Sequence, residues 1–364
     1  MEINDAGKHS LSIKLDDSSG IGEARRVVAG LANEEGLNET ERGELALIVT
    51  ELGNNILRHA GNGEIITRRL WEFSESGIEV LAVDNGPGMH DISRCLTDGY
   101  SSSSTPGTGL GAISRMSGAF DIFSKPGKGA VIMSRVYSKS SPVATAAAAN
   151  LKRFRSNHGS PYFQVGAVCI PKPGQTVCGD GWDVSAENEK LYFTVIDGLG
   201  HGPIAAEASR EARSSFLSEK GRSPADRMDA AHAALRSTRG AVMAVAMIDS
   251  AANSVSYTGI GNIAGVVYSE ERTQHMVSMN GTVGQIARPA REFHYSFDDD
   301  NRVIMMTDGI QTQIKLSEYG VSALHPSLVA GLVYRDWCRG RDDATVLVIS
   351  RAADYIPQAP ASNV

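Results

Sequence analysis

The stretch SKSSPVATAAAANLKRFRSNHGSP divides this chain more sharply than any other feature of it. It is rich in Ser, Ala and charge and lacks the alternation of a strand. A segment of that composition buries too little apolar surface to offset the entropy of ordering its backbone. We read 139–160 as a linker, in which the alanine run could form a short helix. The 364 residues are therefore expected to form two domains, 1–138 and 161–352, followed by a disordered tail at 353–364.

The two halves are patterned differently. In the first, Leu45, Ile48, Val49, Leu52 and Ile56 recur at helical spacing, which predicts a helix over about Glu39–His59, after another at Ile21–Asn33. Short strands are expected at Ile13–Leu15, at Ile65–Ile66 and at Ile78–Ala82, where apolar residues alternate. A helix should follow Gly111, and a strand should cover Ala130–Tyr137. The second half is dominated by strand patterns: FQVGAVCI, KLYFTVI, AVMAVAMID, SVSYTGI, IAGVVYS, RVIMMT and ATVLVIS. Helical stretches at Ile204–Glu219 and Pro224–Arg236 interrupt them. The fold class is α+β in two domains: an α/β sandwich, then sheets with helices on their outer faces, an α/β/β/α design.

Composition excludes several classes of function. A formal charge of -7 disfavours binding to a nucleic-acid backbone, which draws on Lys and Arg. No apolar run is long enough to span a bilayer, and MEINDAGKHSLSIKL lacks the pattern of a secretory signal, so a cytoplasmic location with no membrane partner is expected. The four cysteines, Cys95, Cys169, Cys178 and Cys338, form no C-x-x-C pair. They read as free thiols in a reducing compartment.

Three features of the first half carry chemistry. In TELGNNILRHAG, Glu51 and Asn55 project from one helix face, offering a proton acceptor and an amide oxygen able to ligate Mg²⁺. In DNGPGM, Asp84 ends a strand and can accept a hydrogen bond from an exocyclic amine. Gly86 and Gly88 there permit close approach of a ligand. In SSSSTPGTGLGAISRM, a loop carrying Gly107, Thr108, Gly109, Leu110 and Gly111 opens onto a helix, whose amides can bind phosphate. Each alone reads better as something ordinary: an exposed helix face, a turn or a surface loop. Their order and spacing together resemble the Bergerat-fold ATPases, which include gyrases, histidine kinases and anti-sigma kinases, and among them the RsbT-like switch kinases. The resemblance covers about residues 10–137. It implies helices on one face of a mixed sheet, with ATP bound between sheet and lid. It makes Glu51 the general base for a protein hydroxyl, Asn55 the Mg²⁺ ligand, Asp84 the reader of adenine and Gly107–Gly111 the phosphate loop. Ala130 stands where many relatives carry a threonine that supports the adenine site, which implies weaker adenine binding.

In the second half, Asp180, Asp197, Asp308 and the pair Asp342–Asp343 each adjoin an apolar strand. One Asp-Gly is an ordinary hairpin turn. Several carboxylates delivered to one mouth would repel one another, and hard divalent cations would relieve that repulsion. Two such ions about 3.5–4 Å apart can activate water and polarise a phosphoryl group. No G-x-S-x-G or H-E-x-x-H motif offers another route. With DGLGHGPIAA, TGIGN and DDAT, this half resembles the SpoIIE/RsbX branch of the type 2C metal-dependent protein phosphatases over about 162–350. The resemblance implies Asp180 and Asp197 bridging two Mn²⁺ or Mg²⁺ ions, the Gly198 carbonyl completing one shell, and Asp308 and Asp342 as further ligands. Asp343 is left as either a supporting residue or a ligand of an extra ion. His201 is left as either a phosphate contact or a helix cap. Asn262 is expected to hold a loop near the site.

The combined expectation is a bifunctional regulator of a bacterial partner-switching pathway. It would phosphorylate and dephosphorylate Ser or Thr on a STAS-type antagonist or stressosome-like scaffold protein, with a sigma or anti-sigma factor as a further candidate partner. The alternative is a phosphatase whose first domain binds nucleotide and partner without phosphorylating.

Overall fold

A computed structural model describes residues 9–70, 76–96, 109–138, 163–187, 190–286 and 289–351. These form two compact units, 10–138 in one and His9 with 163–351 in the other. The expected linker and tail lie outside the described residues, as do Gly107 and Thr108.

The first unit runs β1 (Leu11–Leu15), α1 (Ser18–Glu34), α2 (Glu39–Asn55), a π-helical turn (Ile56–Ala60), β2 (Gly63–Leu70), β3 (Gly77–Asp84), α3 (Ile92–Leu96), α4 (Gly109–Met116), β4 (Ala119–Ser124) and β5 (Ala130–Tyr137). The sheet order is β1-β2-β3-β5-β4. Each of these neighbouring pairs is antiparallel, where a mixed sheet was expected. Two of the four pairs, β2–β3 and β4–β5, are consecutive in the chain, which allows a direct antiparallel return. Helix α2 starts at a capping box. The Asn38 side chain accepts from the Glu41 amide at 3.0 Å, and Glu41 accepts in return from the Asn38 amide at 2.8 Å. Its Leu45, Ile48, Val49 and Leu52 join Ile21, Ala24 and Val28 of α1 over Ile78, Val80 and Ala82 of β3 in one core. Each large aliphatic side chain buried there contributes about 1.5–3 kcal/mol. That packing holds α2 and the residues at its end in place.

The second unit contains two sheets. One has the order β13 (Ser278–Met279), β10 (Ser254–Ile260), β9 (Ala241–Asp249), β8 (Lys190–Gly198), β7 (Asp180–Glu187), with β14 (Phe293–Ser296) also paired to β10. The other has the order β12 (Thr273–His275), β11 (Ala264–Tyr268), β15 (Arg302–Met306), β16 (Ala344–Arg351), β6 (Phe163–Ile170). Helices α5 (Pro203–Ser218) and α6 (Pro224–Ala234) pack on the first sheet, and α7 (Pro326–Trp337) packs on the second. This is the layered α/β/β/α arrangement. The sequence reading omitted α3, β4, β7, α7 and the short strands β12, β13 and β14. Helix α7 is buried at every position from Pro326 to Val333, so it shows no amphipathic period to detect.

Helix α5 explains the small residues of DGLGHGPIAA. Its buried residues include Ala205, Ala206, Ala208, Ser209, Ala212 and Phe216. A Cβ on Gly198 would stand 2.1 Å from the Ala205 carbonyl oxygen, so only glycine lets the helix seat this close to the end of β8. None of the four cysteines forms a disulfide. Among the described residues no helix is long and apolar enough to cross a membrane.

Candidate functional site

Asp180 opens β7 and Asp197 stands near the end of β8. The two are direct partners in the antiparallel ladder. Directly opposed side chains share a face, with Cβ atoms about 4.5–5.5 Å apart, and like charges there repel. Asp180 is 1% exposed. Burial, followed by the Asp197 charge, pushes its carboxyl well above the usual range, against a hydrogen bond from Thr307. Asp197 is pushed up to about 7 by burial and then by the charges of Asp308, Asp342 and Asp343. Asp197, Asp308 and Asp342 line one cavity of about 510 Å³ together with His201, Asn262 and Asn280. Carboxylate oxygens dominate the donors gathered at this partly open mouth. That is what a hard divalent cation requires, so the residues present fit a Mg²⁺ or Mn²⁺ site.

The supporting contacts are specific. The Thr307 hydroxyl donates to Asp180 Oδ2 at 2.7 Å and accepts from the Thr345 amide at 2.9 Å. Asn262 Nδ2 donates to Asp308 Oδ2 at 2.9 Å, so Asn262 orients a carboxylate directly as well as shaping its loop. Asp343 accepts from the Lys172 amide at 2.7 Å and the Gly179 amide at 2.9 Å, one on each carboxylate oxygen. It thus clamps the loop that delivers Asp180. His201 lines the cavity, while the N-cap position of α5 is Gly202, with no side-chain cap. Gly198 is fixed by its amide, which donates to the Gly179 carbonyl at 3.2 Å. Thr307 was missed in the sequence although it immediately precedes Asp308. Arg239, also missed, approaches Gly200 of the cavity lining. Its Nη1 lies 3.3 Å from where a Cβ on Gly200 would stand.

In the first unit, Glu51 and Asn55 lie on the last turns of α2, and the π-helical turn begins directly after Asn55. The start of α4 meets them. A Cβ on Gly109 would stand 3.8 Å from the Asn55 amide atoms and 4.0 Å from Glu51 Oε2. Asp84 ends β3, and its Oδ1 accepts from the Gly86 amide at 2.8 Å. Gly86 and Gly88 are required by the chain's own approach. A Cβ on Gly86 would meet Ala60 Cβ at 2.7 Å, and one on Gly88, at φ +72, would meet the Lys125 carbonyl oxygen at 2.0 Å. Leu110 packs in the core of this unit, and Gly111 is buried beside it on α4. Ala130 is the ladder partner of Asp84.

Comparison with known proteins agrees with this division. Residues 16–135 match the model of the histidine kinase-like ATPase domain, and residues 187–352 match that of stage II sporulation protein E, SpoIIE. The serine/threonine-protein kinase RsbT of Bacillus subtilis (strain 168) is 31% identical over 109 residues, which are 30% of this chain and 82% of RsbT. The phosphoserine phosphatase RsbX of the same organism is 24% identical over 145 residues, 39% of this chain and 71% of RsbX. A crystal structure of RsbX in complex with magnesium superposes on 54% of this chain and 98% of its own, at 18% identity and a TM-score of 0.48. The chain belongs to the histidine kinase-like ATPase family in its RsbT-like form and continues into a SpoIIE-type, type 2C serine/threonine phosphatase domain, with both modules on one polypeptide.

Proposed function

We propose that the chain both attaches phosphate to and removes it from Ser or Thr of a STAS-type antagonist or stressosome-like scaffold protein, in the cytoplasm. The observation that carries the phosphatase half is the convergence of Asp197, Asp308 and Asp342 on one cavity, with Asp180 beside Asp197 as its ladder partner. Bound Mg²⁺ or Mn²⁺ supplies activation of water and neutralisation of phosphoryl charge. Asp180, Asp197, Asp308, Asp342 and the Gly198 carbonyl would hold the ions. Thr307 and Asn262 hold two of these carboxylates in register. Arg239 and His201 face the substrate phosphate.

In the kinase half, Asp84 reads the adenine of ATP, Asn55 holds Mg²⁺ and the loop at Gly107–Gly111 receives the phosphates. Glu51 takes the proton of the protein hydroxyl. The nearness of Gly109 to Glu51 and Asn55 supports this assignment, since it brings the lid end to the catalytic end of α2. Ala130 favours a second reading, in which the first domain binds nucleotide and partner without phosphotransfer.

One experiment separates the readings. Purified protein is incubated with candidate STAS proteins, ATP and Mn²⁺, and the partners are weighed by intact-mass spectrometry. Phosphotransfer that Glu51→Ala abolishes, with partner binding retained, supports the bifunctional reading. Wild-type protein that labels no partner yet strips phosphoserine leaves the binding-module reading. A protein inactive in both assays refutes both.

A further inference from the structure

A second cluster of metal-type ligands lies outside the carboxylate site. Cys169 Sγ on β6 and Cys178 Sγ, in the loop before β7, are 3.8 Å apart. His9 Nδ1 lies 3.4 Å from Cys169 Sγ. The three ligand atoms all fall within 4.8 Å of one another. His9 belongs to the same compact unit as both cysteines. We propose that His9, Cys169 and Cys178 bind one zinc-class cation, a site distinct in chemistry from the aspartates.

The geometry can be checked against the ion. For tetrahedral zinc with Zn–S about 2.3 Å and Zn–N about 2.0–2.1 Å, the S···S edge is about 3.8 Å and the N···S edge about 3.5 Å. The two edges that meet at Cys169 are 3.8 Å and 3.4 Å, which is coordination spacing, and the third lies within 4.8 Å. The charge also closes. Two thiolates and a neutral imidazole around a divalent ion sum to zero, which suits a place where Cys169 is 0% and Cys178 2% exposed. Sulfur and imidazole select zinc-class ions over Mg²⁺, so the site would not compete with the carboxylates for the same metal. Thr345 supplies the outer contact such ligands use, its hydroxyl donating to Cys169 Sγ at 3.2 Å.

The cluster is wired to the carboxylate site in two ways. Cys178 is separated from Asp180 by Gly179 alone. The amide of the same Thr345 donates to Thr307, which donates to Asp180. An ion here would fix both supports of Asp180.

The test uses the full chain, reduced, in excess Mg²⁺ to fill the oxygen site. Zn²⁺ is added, free metal is removed by gel filtration, and bound zinc is counted. Co²⁺ is used in parallel for its thiolate-to-cobalt absorption in the near ultraviolet. The expected result is one zinc per chain and a thiolate–cobalt band. That band should disappear in Cys169→Ser, and zinc affinity should fall about tenfold or more in His9→Ala. The control Asp308→Asn should keep the band. His9 is outside the apolar core, so its variant reports even where the cysteine variant misfolds. A wild-type chain with no thiolate–cobalt band overturns the proposal, as does zinc affinity unchanged in His9→Ala. So does a mass lighter by two hydrogens in protein prepared without reductant and unable to take up zinc, which would identify a Cys169–Cys178 disulfide.

Discussion

Asp343→Asn separates a positioning role from a metal-binding one. The carboxylate accepts two backbone amides, Lys172 at 2.7 Å and Gly179 at 2.9 Å. Asparagine offers one acceptor oxygen and an NH₂, so one of these amides must face a donor. Losing a hydrogen bond to a charged group costs about 1.5–3 kcal/mol, and an unsatisfied buried donor adds about 1–3 kcal/mol. Part of this is returned, because burial already raises the Asp343 pKa and the variant removes a like charge from beside Asp197. We take the net cost as about 2–3 kcal/mol, or about 4–12 °C in Tm for a domain of this size. The assay is calorimetric melting in EDTA and again in Mn²⁺, with bound Mn²⁺ counted for each protein. A clamp predicts a lower Tm even in EDTA, with the number of ions bound at saturation unchanged. An unchanged Tm in EDTA together with the loss of one bound ion would refute the clamp and make Asp343 a ligand.

Other outcomes follow from the same contacts. Asp197 has a folded pKa of about 7 against an ordinary 3.8, so the folded state holds a proton that the unfolded state has released. Stability of the metal-free protein should therefore fall as pH rises from about 4 to about 7, and the increase in Tm on adding Mn²⁺ should grow over that window. A Mn²⁺ effect that does not vary with pH would count against the carboxylates as its site. Arg239→Ala should raise KM for a phosphoprotein about tenfold with Tm unchanged, since the side chain is exposed; equal kinetics would remove Arg239 from the substrate site. Ala130→Thr should tighten ATP binding several-fold by restoring a hydroxyl opposite Asp84, read by calorimetric titration. Unchanged affinity would show that this position does not tune the adenine site.

The sequence displayed the chemistry of both sites more clearly than their support. Asp180, Asp197, Asp308 and Asp342 are visible because carboxylates interrupt apolar strands. Glu51 and Asn55 are visible because helical spacing joins them. The amide pair on Asp343 comes from residues 171 and 164 positions away, and no local pattern encodes it. Strand β7 escaped notice because Gly181, Asp183 and Glu187 dilute its apolar content; Asp183 is tolerated in the interior by Arg213 at 3.4 Å and Glu187 is held by Arg227 at 2.8 Å. The four cysteines show no metal-binding spacing. The cluster at Cys169 draws its third member from His9, 160 positions earlier, and only folding brings it there.

The pairing of Asp180 with Asp197 has a consequence for how such a protein can diversify. Their separation is set by rungs of a β-ladder and by a glycine that admits α5, not by the loops that ring the cavity. Those loops can change length and charge while the acidic pair stays fixed. Partner preference can therefore drift over generations without disturbing the hydrolytic centre.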